Sequence, residues 1–244
     1  MELYQSQHRP PLTIRFAQPD KLARPVVKRS NARMTSKYPS WKMQSMLQCE
    51  SKNERNGMLL LDVCPGVSSF RPQPCEIRYL QDGEEHRHFP DVLVHAGYRK
   101  FLVEIKTRKD AAKPEIAERT ALLSALLPSY GYQYLVMLAE DLALNPRLQN
   151  ADDIKRLGSI DISPLERERI RRMFEQYESL PWGALQQDAH HPGLSGHICR
   201  LLLEGYLHID LNQALTHDTL VRRVINTKHM GETSWESLIS KKAL

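Results

Sequence analysis

Phe89-Pro90-Asp91-Val92-Leu93-Val94, a turn at His95-Ala96-Gly97, and then Phe101-Leu102-Val103-Glu104-Ile105-Lys106 form the stretch on which the fold turns. Rich in β-branched and aromatic residues and bounded by Pro90 and Gly97, it reads as two strands closed into an antiparallel hairpin. Side chains alternate along a strand, so Glu104 and Lys106 share one face while Val103 and Ile105 take the other. The hairpin brings Asp91 roughly opposite the end of the second strand. Asp91, Glu104 and the Ile105 backbone oxygen then make an oxygen cage for Mg²⁺, with Lys106 placed to orient or deprotonate a water. That is chemistry for cutting a phosphodiester. Alternatively the hairpin lies at a sheet edge and Glu104 and Lys106 are merely solvated. Against this, Phe101, Leu102, Val103 and Ile105 are what a central strand carries, where charged groups are costly unless they have a role.

N-terminal to this hairpin, residues 42–63 read as a helix. Met43, Met46, Leu47, Met58, Leu59 and Leu61 form its apolar stripe, Cys64-Pro65-Gly66 ends it, and Asn53 and Gly57 weaken its middle. Strands are expected at 67–70, 75–80, 87–94 and 100–106, with a hairpin signal at Gln81-Asp82-Gly83. Pro114 then opens a helix that Pro128 and Gly131 close, and residues 132–138 are an apolar run of strand length. The order is helix, a meander of strands, helix, strand. After about Leu144 strand-like runs become scarce. Pro164 starts a charged helix through Tyr177, and residues 193–225 read as a helix ending at Leu203, a short strand at 206–209 and a helical stretch from about His217. Helix, Gly, strand is the order of a small winged-helix-type module.

The chain has 244 residues, with 34 Lys and Arg against 29 Asp and Glu, a formal charge of +5. The excess is concentrated at the N-terminus, where residues 1–42 carry Arg9, Arg15, Lys21, Arg24, Lys28, Arg29, Arg33, Lys37 and Lys42 against only Glu2 and Asp20. A basic arm with few large apolar residues is suited to phosphate backbones, so Arg24, Lys28, Arg29, Arg33, Lys37 and Lys42 are the candidate DNA contacts. The alternative is a solvated tail or a strap packed on its neighbour. No apolar run reaches the roughly 18 residues that span a bilayer, and Arg9, Pro10, Arg15 and Asp20 interrupt any signal-peptide core. The expectation is a cytosolic protein with no membrane partner. Cys49, Cys64, Cys75 and Cys199 form no C-x-x-C pair, which argues against a zinc ribbon or disulfide scaffold. His190, His191 and His197 lack an acid or cysteine to complete a metal site. His86 and His88 read as a satisfied surface pair, and the arginines from Arg167 to Arg172 as a salt-bridged helix face.

Taken together, Glu50-Ser51-Lys52-Asn53-Glu54-Arg55, Leu60-Leu61-Asp62, Val67, Gln73-Pro74, Ile77-Arg78-Tyr79, Pro90-Asp91 and Glu104-Ile105-Lys106 resemble, in order and spacing, TnsA, the endonuclease subunit of heteromeric cut-and-paste transposases. The resemblance covers about residues 39–138. It implies an α/β fold with a restriction-endonuclease-like PD-(D/E)xK core, a mixed sheet flanked by helices, followed by a small, mostly helical winged-helix-like C-terminal domain. The units would be a basic arm at 1–38, a nuclease domain at 39–144 and a partner-binding domain at 145–244. The implied metal site is Glu54, Asp91, Glu104 and Lys106, with Glu50 the alternative helix carboxylate and Gln73 a supporting residue. Asn53 and Gly57 depart from the family's helix. Such a subunit uses one or two Mg²⁺, with Mn²⁺ able to substitute, to cut the 5′ strands at transposon ends. It works on double-stranded DNA beside the DDE transposase TnsB and the AAA+ regulator TnsC, in the bacterial cytosol or nucleoid. A free-standing PD-(D/E)xK restriction or repair enzyme, and a non-catalytic DNA-binding subunit of the same fold, are the alternatives.

Overall fold

The structure, a computed structural model, describes residues 12–18, 21–23, 36–186 and 193–224. Strands β1 (Leu12–Phe16), β2 (Ser36–Ser40) and β3 (Ser45–Cys49) precede the first helix, α1 (Lys52–Val63). The helix expected from residue 42 therefore starts only at Lys52. Met43 lies instead in the turn of a β2–β3 hairpin, and Met46 and Leu47 lie on β3, where Tyr38 pairs with Leu47. Asp62, near the end of α1, organises this turn. Its carboxylate accepts from Tyr38 Oη (2.9 Å), Ser40 Oγ (2.8 Å) and the backbone N–H groups of Trp41 (2.9 Å) and Lys42 (2.8 Å). Local apolar spacing yields here to a long-range carboxylate with charge-assisted donors. The helix begins where it does because Ser51 caps it, its Oγ accepting the Glu54 N–H at 3.1 Å.

Next come β4 (Val67–Pro72), β5 (Cys75–Gln81), β6 (Glu84–His88), β7 (Val92–Ala96), β8 (Arg99–Lys106), α2 (Arg108–Ala111), α3 (Pro114–Leu126), a 3₁₀ turn (Leu127–Tyr130) and β9 (Gln133–Leu138). A mixed sheet has the order β4-β7-β8-β9, antiparallel except for the parallel β8–β9 pair. The strand expected over 87–94 is two strands in two sheets. Pro90 has no N–H to give a ladder, and the break at Phe89-Pro90-Asp91 carries the chain from the β1-β5-β6 sheet into β7. The expected single meander is thus interrupted by the β5–β6 hairpin, whose turn places Asp82 (φ 53°) and Gly83 (φ 83°) in the left-handed region.

Alternation along β8 separates two cores. Phe101, Val103 and Ile105 pack with α1, whereas Leu102 packs with Cys75, Ile77 and Tyr79 of β5, Leu123 of α3 and Tyr134 of β9. Gly57 of α1 lies where the helix meets β8, and a Cβ there would come within 2.8 Å of Ile105 Cδ1. The residue that weakens the helix in isolation permits its close approach to the sheet.

The C-terminal part holds α4 (Ala139–Leu142), α5 (Arg147–Gly158), α6 (Pro164–Gln176), β10 (Ser179–Pro181), α7 (Trp182–Gln186), α8 (Leu194–Leu203), β11 (Leu207–His208) and β12 (Leu220–Arg223). Residues 217–223 do not form the expected helix. Leu220-Val221-Arg222 alternates exposed, buried, exposed, and β12 is the centre of a three-stranded β10-β12-β11 sheet. Ile154 of α5 and Ile198, Cys199 and Leu201 of α8 share one continuous core with α1 and β8, so packing does not divide at residue 144. Nor is all of 1–38 a free arm. Leu12 is buried, β1 pairs with β5, and Tyr130 Oη donates to the Leu12 carbonyl at 2.9 Å. All four cysteines lie in the interior and none is in a disulfide. Among the described residues no helix is long and apolar enough to cross a membrane.

Candidate functional site

Val92 of β7 pairs with Val103 of β8, so Asp91, one residue before β7, stands across from Glu104. The β7 ladder has ended there, and the Asp91 side chain takes its place: Oδ2 accepts the Ile105 N–H at 2.6 Å. Asp91 is fixed from behind by Gln73, whose backbone N–H donates to the Asp91 carbonyl at 2.8 Å from a left-handed conformation (φ 40°). That strain sits beside the site, a common place for it.

Glu104 is only 3% exposed. Its Oε1 lies 2.5 Å from Lys106 Nζ and 3.3 Å from Arg119 Nη2 of α3. Its Oε2 has no hydrogen-bond partner of good geometry, although His88 Nε2 is 3.2 Å away. Tyr134 Oη lies 2.9 Å from that same nitrogen. Burial, then the Glu104 charge, pushes Asp91 up to about 8. For Glu104 burial acts upward too, but His88 and Lys106 outweigh it and hold the group below the usual range. Burial acts downward on Lys106, and the Glu104 and Asp91 charges outweigh it and raise the ammonium. Asp91, Glu104 and Lys106 are therefore one electrostatic unit.

Glu54 does not join them at a common point. It folds back on the start of its own helix, with its Oε2 accepting the Glu50 N–H at 2.8 Å and its Oε1 accepting from Ser51 Oγ at 3.0 Å. It remains near enough for its charge to raise Asp91, while burial raises Glu54 itself. Glu50 precedes the helix, and its Oε1 accepts from Gln73 Nε2 at 2.7 Å. Gln73 thus links Glu50 to Asp91, and its own Oε1 is buried without a hydrogen bond. Among the described residues no three His, Cys, Asp or Glu side chains converge on one point. Asp91, Glu104 and the Ile105 carbonyl are still a hard-oxygen set, and Mg²⁺ characteristically takes one or two carboxylates with water and substrate phosphate completing its shell. A carboxylate driven up by burial and by a neighbouring carboxylate is also what a shared divalent cation would relieve. The donors fit the ion.

Of the expected DNA contacts, Arg24, Lys28, Arg29 and Arg33 lie outside the described residues, and Lys37 is exposed on β2. Lys42 is engaged elsewhere: its Nζ donates to the carbonyls of Leu61 (3.0 Å) and Cys64 (2.5 Å), capping the C-terminal end of α1. The arginine-rich helix is salt-bridged as expected, with Arg171 and Arg172 both on Glu168. His190 and His191 lie outside the described residues. Sequence reasoning missed His88, Arg119 and Tyr134. His88 is not a surface residue but 6% exposed, because the end of β6 meets Tyr134. The available signal was Pro90, which turns the chain inward just after His88. No family model matches the chain, and no curated protein does.

Proposed function

We propose that the protein is a Mg²⁺-dependent DNA endonuclease with a PD-(D/E)xK core, acting as the subunit of a heteromeric transposase that cuts the 5′ strands at transposon ends. The observation carrying this is the grouping of Asp91, Glu104 and Lys106 at the end of two adjacent antiparallel strands. The order α1, β4, β7, β8, α3, β9 around that grouping, with β9 parallel to β8, agrees with such a core. The C-terminal helices with their three-stranded sheet fit a winged-helix-like unit and a protein partner such as TnsC, with TnsB cutting the other strand.

When bound, Mg²⁺ would supply polarisation of the scissile phosphate and an activated water. Asp91 and Glu104 would hold it, with the Ile105 carbonyl as a further ligand. The Asp91 carboxylate is aimed by the Ile105 N–H, and Lys106 stabilises negative charge at the nucleophile or phosphate. Glu54 contributes through its field and by fixing the start of α1. The basic residues of the N-terminal segment would neutralise phosphates on either side of the cut.

Nicking of plasmid and of transposon-end DNA, read with thermal melts, tests this. Asp91→Asn and Lys106→Met should each lose on the order of 100-fold or more in cleavage while staying folded. A folded variant of either kind with full activity removes the assignment. Cleavage of plain DNA by the chain alone would favour a free-standing nuclease over a transposase subunit.

A further inference from the structure

The two oxygens of Glu104 meet different company. Oε1 faces the cations Lys106 and Arg119, and Oε2 faces the imidazole of His88 at 3.2 Å. We infer that His88 is a positioning residue for Glu104. An N–H at Nε2 holds Oε2 and so fixes how the Glu104 carboxylate is presented. This deepens the nuclease assignment above and rests on it.

Three observations lead there. First, a bare Nε2 lone pair 3.2 Å from a carboxylate oxygen, at a residue 3% exposed, would set two acceptors against each other and leave Oε2 with nothing. A proton on Nε2 turns that repulsion into attraction. Tyr134 Oη lies 2.9 Å from the same nitrogen, so an N–H there has both oxygens within reach. Second, the ring is held in that plane. Tyr134 stands edge-on to it, with centroids 5.8 Å apart and planes at 71°. Third, the β5–β6 hairpin has no part in the β4-β7-β8-β9 sheet, yet it delivers His88 to Glu104. His88 pairs with Ile77, and Ile77 is buried in the core that also contains Leu102 and Tyr134. The hairpin is packed so that its last side chain reaches the carboxylate.

The test uses the full chain and compares His88→Leu, which removes the donor, with His88→Gln, whose amide N–H reaches the same oxygen. Calorimetric titration with Mg²⁺ is run beside plasmid cleavage. His88→Leu should weaken Mg²⁺ binding on the order of 10- to 100-fold and lower kcat, with KM for DNA within about twofold, and His88→Gln should recover most of both. A folded His88→Leu that binds Mg²⁺ and cuts like the parent overturns the role of His88, while loss of cutting in Asp91→Asn keeps the nuclease assignment standing. A parent protein that binds no Mg²⁺ overturns both. If His88→Leu fails to fold, nitrogen-15 NMR of the parent imidazole decides: a proton on Nε2 supports the role, and a bare Nε2 overturns it.

Discussion

Asp62 has no solvent exposure and receives donors from Tyr38, Ser40, Trp41 and Lys42, residues roughly twenty positions away. A carboxylate so placed is stable only while its donors remain, and the donors are stable only while it remains. Asp62→Ala should therefore cost about 3–5 kcal/mol in urea unfolding. A loss under about 1 kcal/mol would mean that the β2–β3 hairpin is held by other contacts. Lys42, beside it, gives a pH signature. Burial lowers its ammonium from 10.5 to about 8. The unfolded chain keeps that proton up to its ordinary value, so between those limits the unfolded state binds more protons and stability rises with pH. Relative to Lys42→Met, the parent should gain on the order of 1–3 kcal/mol as pH rises from 8 to about 10.5, measured by chemical denaturation across that range. A flat difference would place the ammonium in water.

Elements built on alternation or on Pro and Gly punctuation were legible in the sequence: β8, the Asp82-Gly83 hairpin, α3 after Pro114, α6 after Pro164 and β9. Their signals are local. The elements that were misread depend on distant partners. Residues 42–49 carry helical spacing but follow Asp62, β12 follows its neighbours β10 and β11, and β6 parts from β7 because each completes a different sheet. The site divided the same way. Asp91, Glu104 and Lys106 lie on one hairpin and could be read from it, whereas His88 and Arg119 reach Glu104, and Tyr134 reaches His88, from three other elements. Helix crossings are equally non-local. Gly158 of α5 packs on the α8 backbone, where a Cβ would lie 2.7 Å from the Cys199 carbonyl carbon and 2.8 Å from Arg200 N. Backbone cannot yield as a side-chain tip can, so Gly158→Ala should push α5 and α8 apart and cost about 1–3 kcal/mol, read by thermal and urea melts. An unchanged melting temperature would mean that the crossing is looser than this.

At the scale of the whole molecule, α1 lies between the sheet that carries the site and the helices α5 and α8. Ile105 touches it from one side, and the core residues Ile154 and Cys199 belong to the same cluster. Opening one side exposes the other, so the chain should not shed its C-terminal part in a separate step. Amide hydrogen exchange makes this visible. The slowest amides of α8 and of β8 should exchange through a single global opening and report the same free energy. Anything that binds the C-terminal helices only in the folded state would then slow exchange in β8 without touching it, by mass action alone. If α8 exchanges well before β8, the two behave as separate cooperative units. If they exchange together, a partner docked on the C-terminal helices stabilises the strand that holds Glu104, and the candidate site becomes more rigid once that partner is bound.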